Sequence, residues 1–305
     1  MRALQSLLFL LCFVPACVAQ APAPSQYEGL PGVAIYSNGY LLSWDPQYTE
    51  LAVYGRDAKQ AFSTPDRTGD STLMMWAVDS DGVVAGGYRA RQVAEGRIDL
   101  RDRVGNLIGS IDTGSYIPQQ VAFAPDHTIW AVCYLAGQGG TQDFKVLHHY
   151  ARSGEELGQA LSWSELGGDL KHPVIENIRG SQLLYVSNDR IGWNAALHPG
   201  SRTWIEVSFS GDLLGKYDVR TADGLAVWPS AMTASGNVYA RISRPRRSRF
   251  AVLDRSKGVW QEVAGNPGGL LLGSEGDNLV FAQIQGSSAT LNFTASSSLR
   301  AEAPQ

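Results

Sequence analysis

The sequence predicts an all-β chain, a six-bladed β-propeller built from four-stranded antiparallel blades. Three observations carry that expectation. Hairpins that are apolar on both faces recur along the chain, and hairpins with strict apolar/polar alternation lie between them. The glycine turns of the second kind, at Gly105, Gly154, Gly211 and Gly258, stand roughly 50 residues apart, the length that four strands and their connections require.

The stretch 120–134, QVAFAPDHTIWAVCY, shows the first kind most clearly. Two apolar runs flank Pro125-Asp126-His127, and Pro and Asp form turns readily. In the second run Ile129, Ala131 and Cys133 fall on one face and Trp130, Val132 and Tyr134 on the other. A strand with a wet face would alternate, so this hairpin needs a layer on each side. The same plan is read at 33–44, 74–88, 175–188, 225–242 and 269–284. The expected turns are Asn38-Gly39, Asp81-Gly82, Asp126-His127, Gly180-Ser181, Ser235-Gly236 and Gly276-Asp277, residue types that favour tight hairpin turns.

The alternating series comprises 97–111, 144–161, 203–219 and 249–264, with a weaker first copy at 50–63 and a short last one at 288–296. In the first of these Ile98 and Leu100 point one way while Arg97, Asp99 and Arg101 point the other. Few residues follow Ile284, so Tyr27–Gly32 is expected to complete the last blade, because an open ring leaves unpaired strand edges. The expected organisation is a signal peptide over 1–19, a lead-in over 20–32 and the propeller over 33–305.

Arg2, the apolar run Leu7–Val14 and the small residues before Gln20 read as an export signal cut after Ala19; the run is too short to span a bilayer. A second reading takes Val14-Pro15-Ala16-Cys17 as a lipoprotein box, with Cys17 acylated and kept as an anchor. Either way the expected address is the periplasm or the exterior, with no transmembrane segment. After cleavage at Ala19 the chain keeps only Cys133, which excludes an internal disulfide and a cysteine-based zinc site. The formal net charge of -4 argues against nucleic acid as a partner.

Hairpins such as 120–134, each followed by an alternating one, resemble the blades of exported bacterial six-bladed propellers of the NHL-repeat type. That resemblance implies a fold and no particular chemistry. The stretch 222–242 is also similar to a blade of the gluconolactonase and senescence-marker-protein family. The resemblance implies a divalent cation, calcium or magnesium, held at the channel mouth by Glu28, Asn177 and Asp223. The flanking steps, Asn177-Ile178-Arg179 and Glu28-Gly29-Leu30-Pro31, depart from that family's pattern.

In a four-stranded blade all connections between hairpins emerge at one end of the ring, and here they are long: 89–96, 135–143, 162–173, 188–202 and 243–249. Loops on a rigid scaffold are where binding residues collect. Two candidates stand on them. The segment 243–249 carries Arg244, Arg246, Arg247 and Arg249, with Arg241 just before it, a set of guanidiniums suited to carboxylate, phosphate or sulfate. The segment 188–202 carries Trp193, Asn194 and His198, a mix suited to a sugar ring or a peptide side chain. No histidine pair has metal-ligand spacing, and neither a nucleophile elbow nor a glycine-rich phosphate loop occurs. The leading expectation is therefore an exported propeller, without a cofactor, that binds a protein, glycan or anionic small molecule through its long-loop face and catalyses nothing. The alternatives are a metal-dependent lactonase-like hydrolase and a structural part of an envelope assembly.

Overall fold

The computed structural model describes residues 26–44, 50–65, 67–68, 71–90, 95–136, 142–169, 184–198, 200–242, 249–264 and 268–301. Within them the chain is a β-propeller. Sheet one holds β2 (Val33–Ser37), β3 (Tyr40–Trp44), β4 (Glu50–Tyr54) and β5 (Gln60–Pro65). Sheet two holds β7 (Ser71–Val78), β8 (Val84–Ala90), β9 (Gly96–Arg101) and β10 (Leu107–Gly114), with the two-residue β6 (Arg67–Thr68) beside β7. Sheet three runs through β11 (Tyr116–Phe123), β12 (Ile129–Leu135), β13 (Lys145–Tyr150) and β14 (Glu156–Ser162). Sheet four contains β15 (Leu184–Val186), β16 (Ile191–Ala195), β17 (Thr203–Val207) and β18 (Leu213–Asp218). Sheet five has β19 (Val227–Met232), β20 (Val238–Ile242), β21 (Arg249–Asp254) and β22 (Val259–Ala264). Sheet six has β23 (Leu270–Glu275), β24 (Asn278–Gln285) and β25 (Ser288–Ala295), and its fourth strand is β1 (Gln26–Tyr27), paired to β25 through Gln26↔Thr290 and Tyr27↔Ala289. The chain end crosses back as β26 (Arg300–Ala301) onto the outer edge of β22.

The doubly apolar hairpins form because each is covered on both sides. The buried apolar residues divide into clusters, one between each pair of consecutive sheets. Ile129, Ala131 and Cys133 pack towards sheet two, while Trp130, Val132 and Tyr134 pack towards sheet four. The last cluster joins sheet six to sheet one through Tyr27, Leu272 and Leu291 against Leu41, Ala52 and Tyr54, so the ring closes on itself. At that closure the backbones nearly touch: Tyr36 and Gly273 form a parallel bridge between β2 and β23. A Cβ on Gly273 would stand 2.0 Å from the Tyr36 carbonyl oxygen, so only glycine fits.

The outer-hairpin turns need positive φ, and Gly105, Gly154, Gly211 and Gly258 supply it at 91°, 97°, 87° and 69°. Because successive strands are antiparallel, in sheets one to five both hairpin turns lie at one end of the ring and the connections at the other, whereas in sheet six the two tight turns, Gly276-Asp277 and Gly286-Ser287, lie at opposite ends of β24. The 120–134 hairpin extends further back than its apolar pattern, to Tyr116, and turns at Ala124–Thr128 with His127 at φ 67°.

Sheet four differs from its sequence reading. The turn expected at Gly180-Ser181 falls outside the described residues; the inner hairpin is β15–β16, turning over Ser187–Arg190. Ser187 organises this turn: its N–H donates to the Arg190 carbonyl at 2.9 Å and its hydroxyl donates to Asp189 at 2.9 Å. What reads as an insertion at 188–202 is thus a turn, a strand and a short connection. Trp193 is not a loop residue: it sits mid-strand in β16 opposite Leu184 and Ile205, 1% exposed. The reason is burial, since Ile191–Asn194 is enclosed throughout. Gly192 leaves the space that the Trp204 indole occupies, as a Cβ there would stand 2.3 Å from the ring.

Candidate functional site

The structure separates the residues that the sequence reading grouped. Arg244, Arg246, Arg247 and Asn177 lie outside the described residues. Trp193 is core. His198 is exposed in the β16–β17 connection, in a closed turn where its N–H donates to Ser201 Oγ at 2.9 Å and Ser201 Oγ donates back to its carbonyl. Glu28 is exposed beside the outermost strand of sheet six, accepting from Gln26 Nε2 and Ser288 Oγ at 2.7 Å each. That strand stands about 14 Å, or three strand spacings, from the innermost one. Asp223 is in the turn between sheets four and five, accepting from the Thr221 hydroxyl.

One group of metal-ligating side chains shares a small space among the described residues: Asp79, Asp81 and His127, at the turn end between sheets two and three. Asp79 is buried and accepts from His127 Nδ1 at 2.8 Å. Arg152 already fills this space. Its guanidinium pairs with Asp79, reaches both Asp81 oxygens at 2.8 and 3.1 Å, and lies 5.2 Å from the Phe123 ring centre. A guanidinium satisfying both carboxylates makes this an ion-paired latch between sheets rather than a cation cradle.

Two other junctions carry the same device. Arg56 reaches back from sheet one to Glu275 of sheet six at 2.8 Å, where Tyr36 OH also donates at 2.9 Å. Arg255 reaches back from sheet five to Glu206 of sheet four through two bonds of 2.7 Å. Glu206 is fully buried and also accepts from Trp204 Nε1 at 2.9 Å and Arg190 Nη1 at 3.2 Å. Arg190 in turn holds the Asp189 carboxyl down at about 2, chiefly by hydrogen bonding. The sequence carried a signal for this: Tyr54-Gly55-Arg56, Tyr150-Ala151-Arg152 and Leu253-Asp254-Arg255 place an arginine at the same point of three outer-hairpin turns.

The connection end between sheets four and five holds the arrangement with the most recognisable binding chemistry. The Arg202 guanidinium lies 4.0 Å from the centre of the Trp228 ring. Trp228 pairs across the sheet with Arg241, so the two side chains share a face. Arg241 Nε donates to Ser230 Oγ at 3.1 Å, and Ser230 Oγ donates to the Trp228 carbonyl at 2.7 Å, which orients the guanidinium. Beneath them Tyr185 OH donates to the Pro229 carbonyl at 3.3 Å; burial pushes this phenol up, against the opposing pull of Arg241. Arg241 lies in β20 and Arg249 opens β21, so the arginine-rich segment 243–248 is the connection that leaves this spot. Arg249 is ion-paired with Glu262. Sequence reading found Arg241 but not Arg202 or Trp228, which come from a different connection and a strand start.

No protein-family model and no curated protein matches the chain. Solved structures do. A protein of unknown function from Bacteroides caccae matches with a TM-score of 0.51 at 16% identity, over 82% of this chain and 84% of that one. A protein provisionally described as a gluconolactonase matches with a TM-score of 0.49 at 11% identity, over 92% and 95%. TolB from Acinetobacter baumannii matches with a TM-score of 0.47 at 13% identity, over 86% of this chain and 62% of its own. Identities this low bear on fold alone. Among the described residues no helix is long and apolar enough to cross a membrane. The Bacteroides caccae protein shares the overall fold of this chain.

Proposed function

We propose that this chain is an exported six-bladed β-propeller, similar to the NHL-repeat type, that binds an anionic glycan at its connection end without catalysing a reaction. The observation that carries this reading is the Arg202–Trp228–Arg241 arrangement at the root of the 243–248 connection. Guanidinium forks match carboxylate and sulfate oxygens, and an indole offers an apolar face to a sugar ring. Arg244, Arg246 and Arg247 add formal positive charge to the sequence of that connection, and the export signal read over 1–19 supplies the address in this proposal.

The test is retention on an immobilised sulfated glycan such as heparin, with affinity measured across a salt series. The variant Arg202→Gln/Arg241→Gln is expected to bind about tenfold more weakly, the loss of roughly one charge-assisted hydrogen bond. Its salt slope should also be shallower, since fewer counterions are displaced. A variant that melts like the parent yet keeps its affinity and salt slope overturns the reading.

A further inference from the structure

Exposed aliphatic side chains are concentrated at one point of this ring. Among the described residues seven large hydrophobic side chains are exposed, and six of them are Val104, Leu107, Ile108, Leu157, Leu213 and Leu214, at 40% to 62%. Each lies within three residues of the turn glycine of an outer hairpin, in three consecutive sheets: Gly105 in sheet two, Gly154 in sheet three and Gly211 in sheet four. Sheet one carries the exposed Lys59 and Gln60 at the matching place, and in sheet five Trp260 is buried there. An exposed Leu or Ile gains nothing from folding, so its repetition at one structural position calls for a partner.

The backbone at this point is open as well. β10, β14 and β18 end their sheets, so one edge of each has no neighbouring strand among the described residues. The ring itself shows what such an edge accepts. β26 adds antiparallel to the outer edge of β22 through Val263↔Ala301 and Ala264↔Arg300, and β1 adds to β25 in the same way. Edges that stay bare are commonly blunted by Lys or Pro. β5 follows Lys59 and ends in Pro65, whereas β10 and β14 contain neither residue type.

Charge selects the occupant. The turns and outermost strands of these three hairpins carry Asp102, Asp112, Glu155, Glu156, Asp212 and Asp218 against Arg103 and Lys216, while Arg152 is already held by Asp79 and Asp81. A second copy docked edge to edge would bring those carboxylates together, and an anionic bilayer would be repelled. A segment that combines aliphatic residues with Lys or Arg is attracted on both counts.

We infer that the outer edges of sheets two, three and four are strand-addition sites for an extended segment of a partner protein, rich in aliphatic residues and flanked by Lys or Arg. Backbone hydrogen bonds to β10, β14 and β18 supply the pairing, and the exposed Leu, Ile and Val side chains supply the apolar contact. These edges do not include Arg202, Trp228 or Arg241, so the inference stands independently of the glycan reading.

The probe is a capped, fluorescein-labelled peptide that alternates Val and Thr and carries Lys at both ends, titrated with the protein and followed by anisotropy. Saturable binding is expected. It should weaken about tenfold when every other residue of the peptide is N-methylated, which keeps the side chains but removes the pairing N–H groups. Replacing the peptide's Lys by Glu should weaken it as well. Leu107→Lys/Leu157→Lys/Leu214→Lys should abolish binding while melting like the parent, because all three positions are exposed. Ile284→Lys, exposed elsewhere on the ring, and Arg202→Gln/Arg241→Gln should leave peptide binding unchanged, which separates these edges from the glycan site. No saturable binding by the parent up to about 1 mM peptide, or equal binding of the N-methylated peptide, overturns the inference. So does a parent that sediments as a dimer beside a monomeric triple variant, which assigns the edges to a second copy. Co-sedimentation with phosphatidylcholine vesicles that the triple variant loses overturns it too, assigning them to lipid.

Discussion

Replacing Glu206 by glutamine tests the latch logic most directly. The carboxylate is fully buried and receives Arg255 as a fork, Arg190 at 3.2 Å and the Trp204 indole at 2.9 Å. Glutamine keeps the size but removes the charge and turns one acceptor into a donor facing guanidinium nitrogens. Breaking a buried ion pair from one side costs about 3–5 kcal/mol, because the remaining charge is stranded. Here Arg255 keeps 26% of its side chain exposed, and Arg190 still holds Asp189 at 2.6 Å, which brings the figure towards the lower end. At roughly 2–4 °C per kcal/mol for a chain of this size, the melting temperature should fall by about 6–12 °C. Urea melts followed by circular dichroism would measure the free energy, with Arg255→Gln and the double variant completing a cycle. The double variant should recover part of the loss, since it removes the stranded charge. A Glu206→Gln cost within about 0.5 kcal/mol of zero, or additive single effects, would refute the reasoning.

Gly273→Ala should destabilise the ring at its closure by about 1–3 kcal/mol, because the new Cβ collides with backbone that cannot swing aside as a side chain would; an unchanged urea midpoint would show that the Tyr36–Gly273 approach is not tight. His149 should titrate below its ordinary 6.5, because burial against Trp130, stacked at 4.0 Å, penalises the charged ring more than Asp126 supports it. Thr128 gives its hydroxyl proton to Asp126 at 2.6 Å, so His149 Nε2–H donates to Thr128 Oγ1 at 2.7 Å in the neutral form. The unfolded chain then binds the proton more readily, and this histidine's contribution to stability, complete above about pH 6.5, is lost as the pH falls through the folded value. Imidazole NMR would read the titration directly, and a midpoint at or above 6.5 would contradict the burial argument.

Much of the fold was legible because it is local. Period-two apolarity on both faces of 33–44, 74–88 and 120–134 can be satisfied only by a hairpin covered on each side, and glycine at Gly105, Gly154, Gly211 and Gly258 marks turns that demand positive φ. Sheet four escaped because two turn-forming clusters, Gly180-Ser181 and Ser187–Asp189, compete for one hairpin. Choosing the second puts Trp193 into a strand and removes it from the candidate ligand residues. Glu206, a charged residue in the alternating stretch 203–219, is fully buried, because in a ring the neighbouring sheet covers that face of the hairpin.

From the chain alone came the all-β class, the repeat and the turn chemistry, since each depends on neighbours a few residues apart. The tertiary structure alone decided which charges meet. Arg255 finds Glu206, Arg56 finds Glu275 and Arg202 finds Trp228 across sheet junctions. Those partners come from separate repeats, and their pairing depends on how each sheet is wedged against the next, a geometry no local pattern encodes.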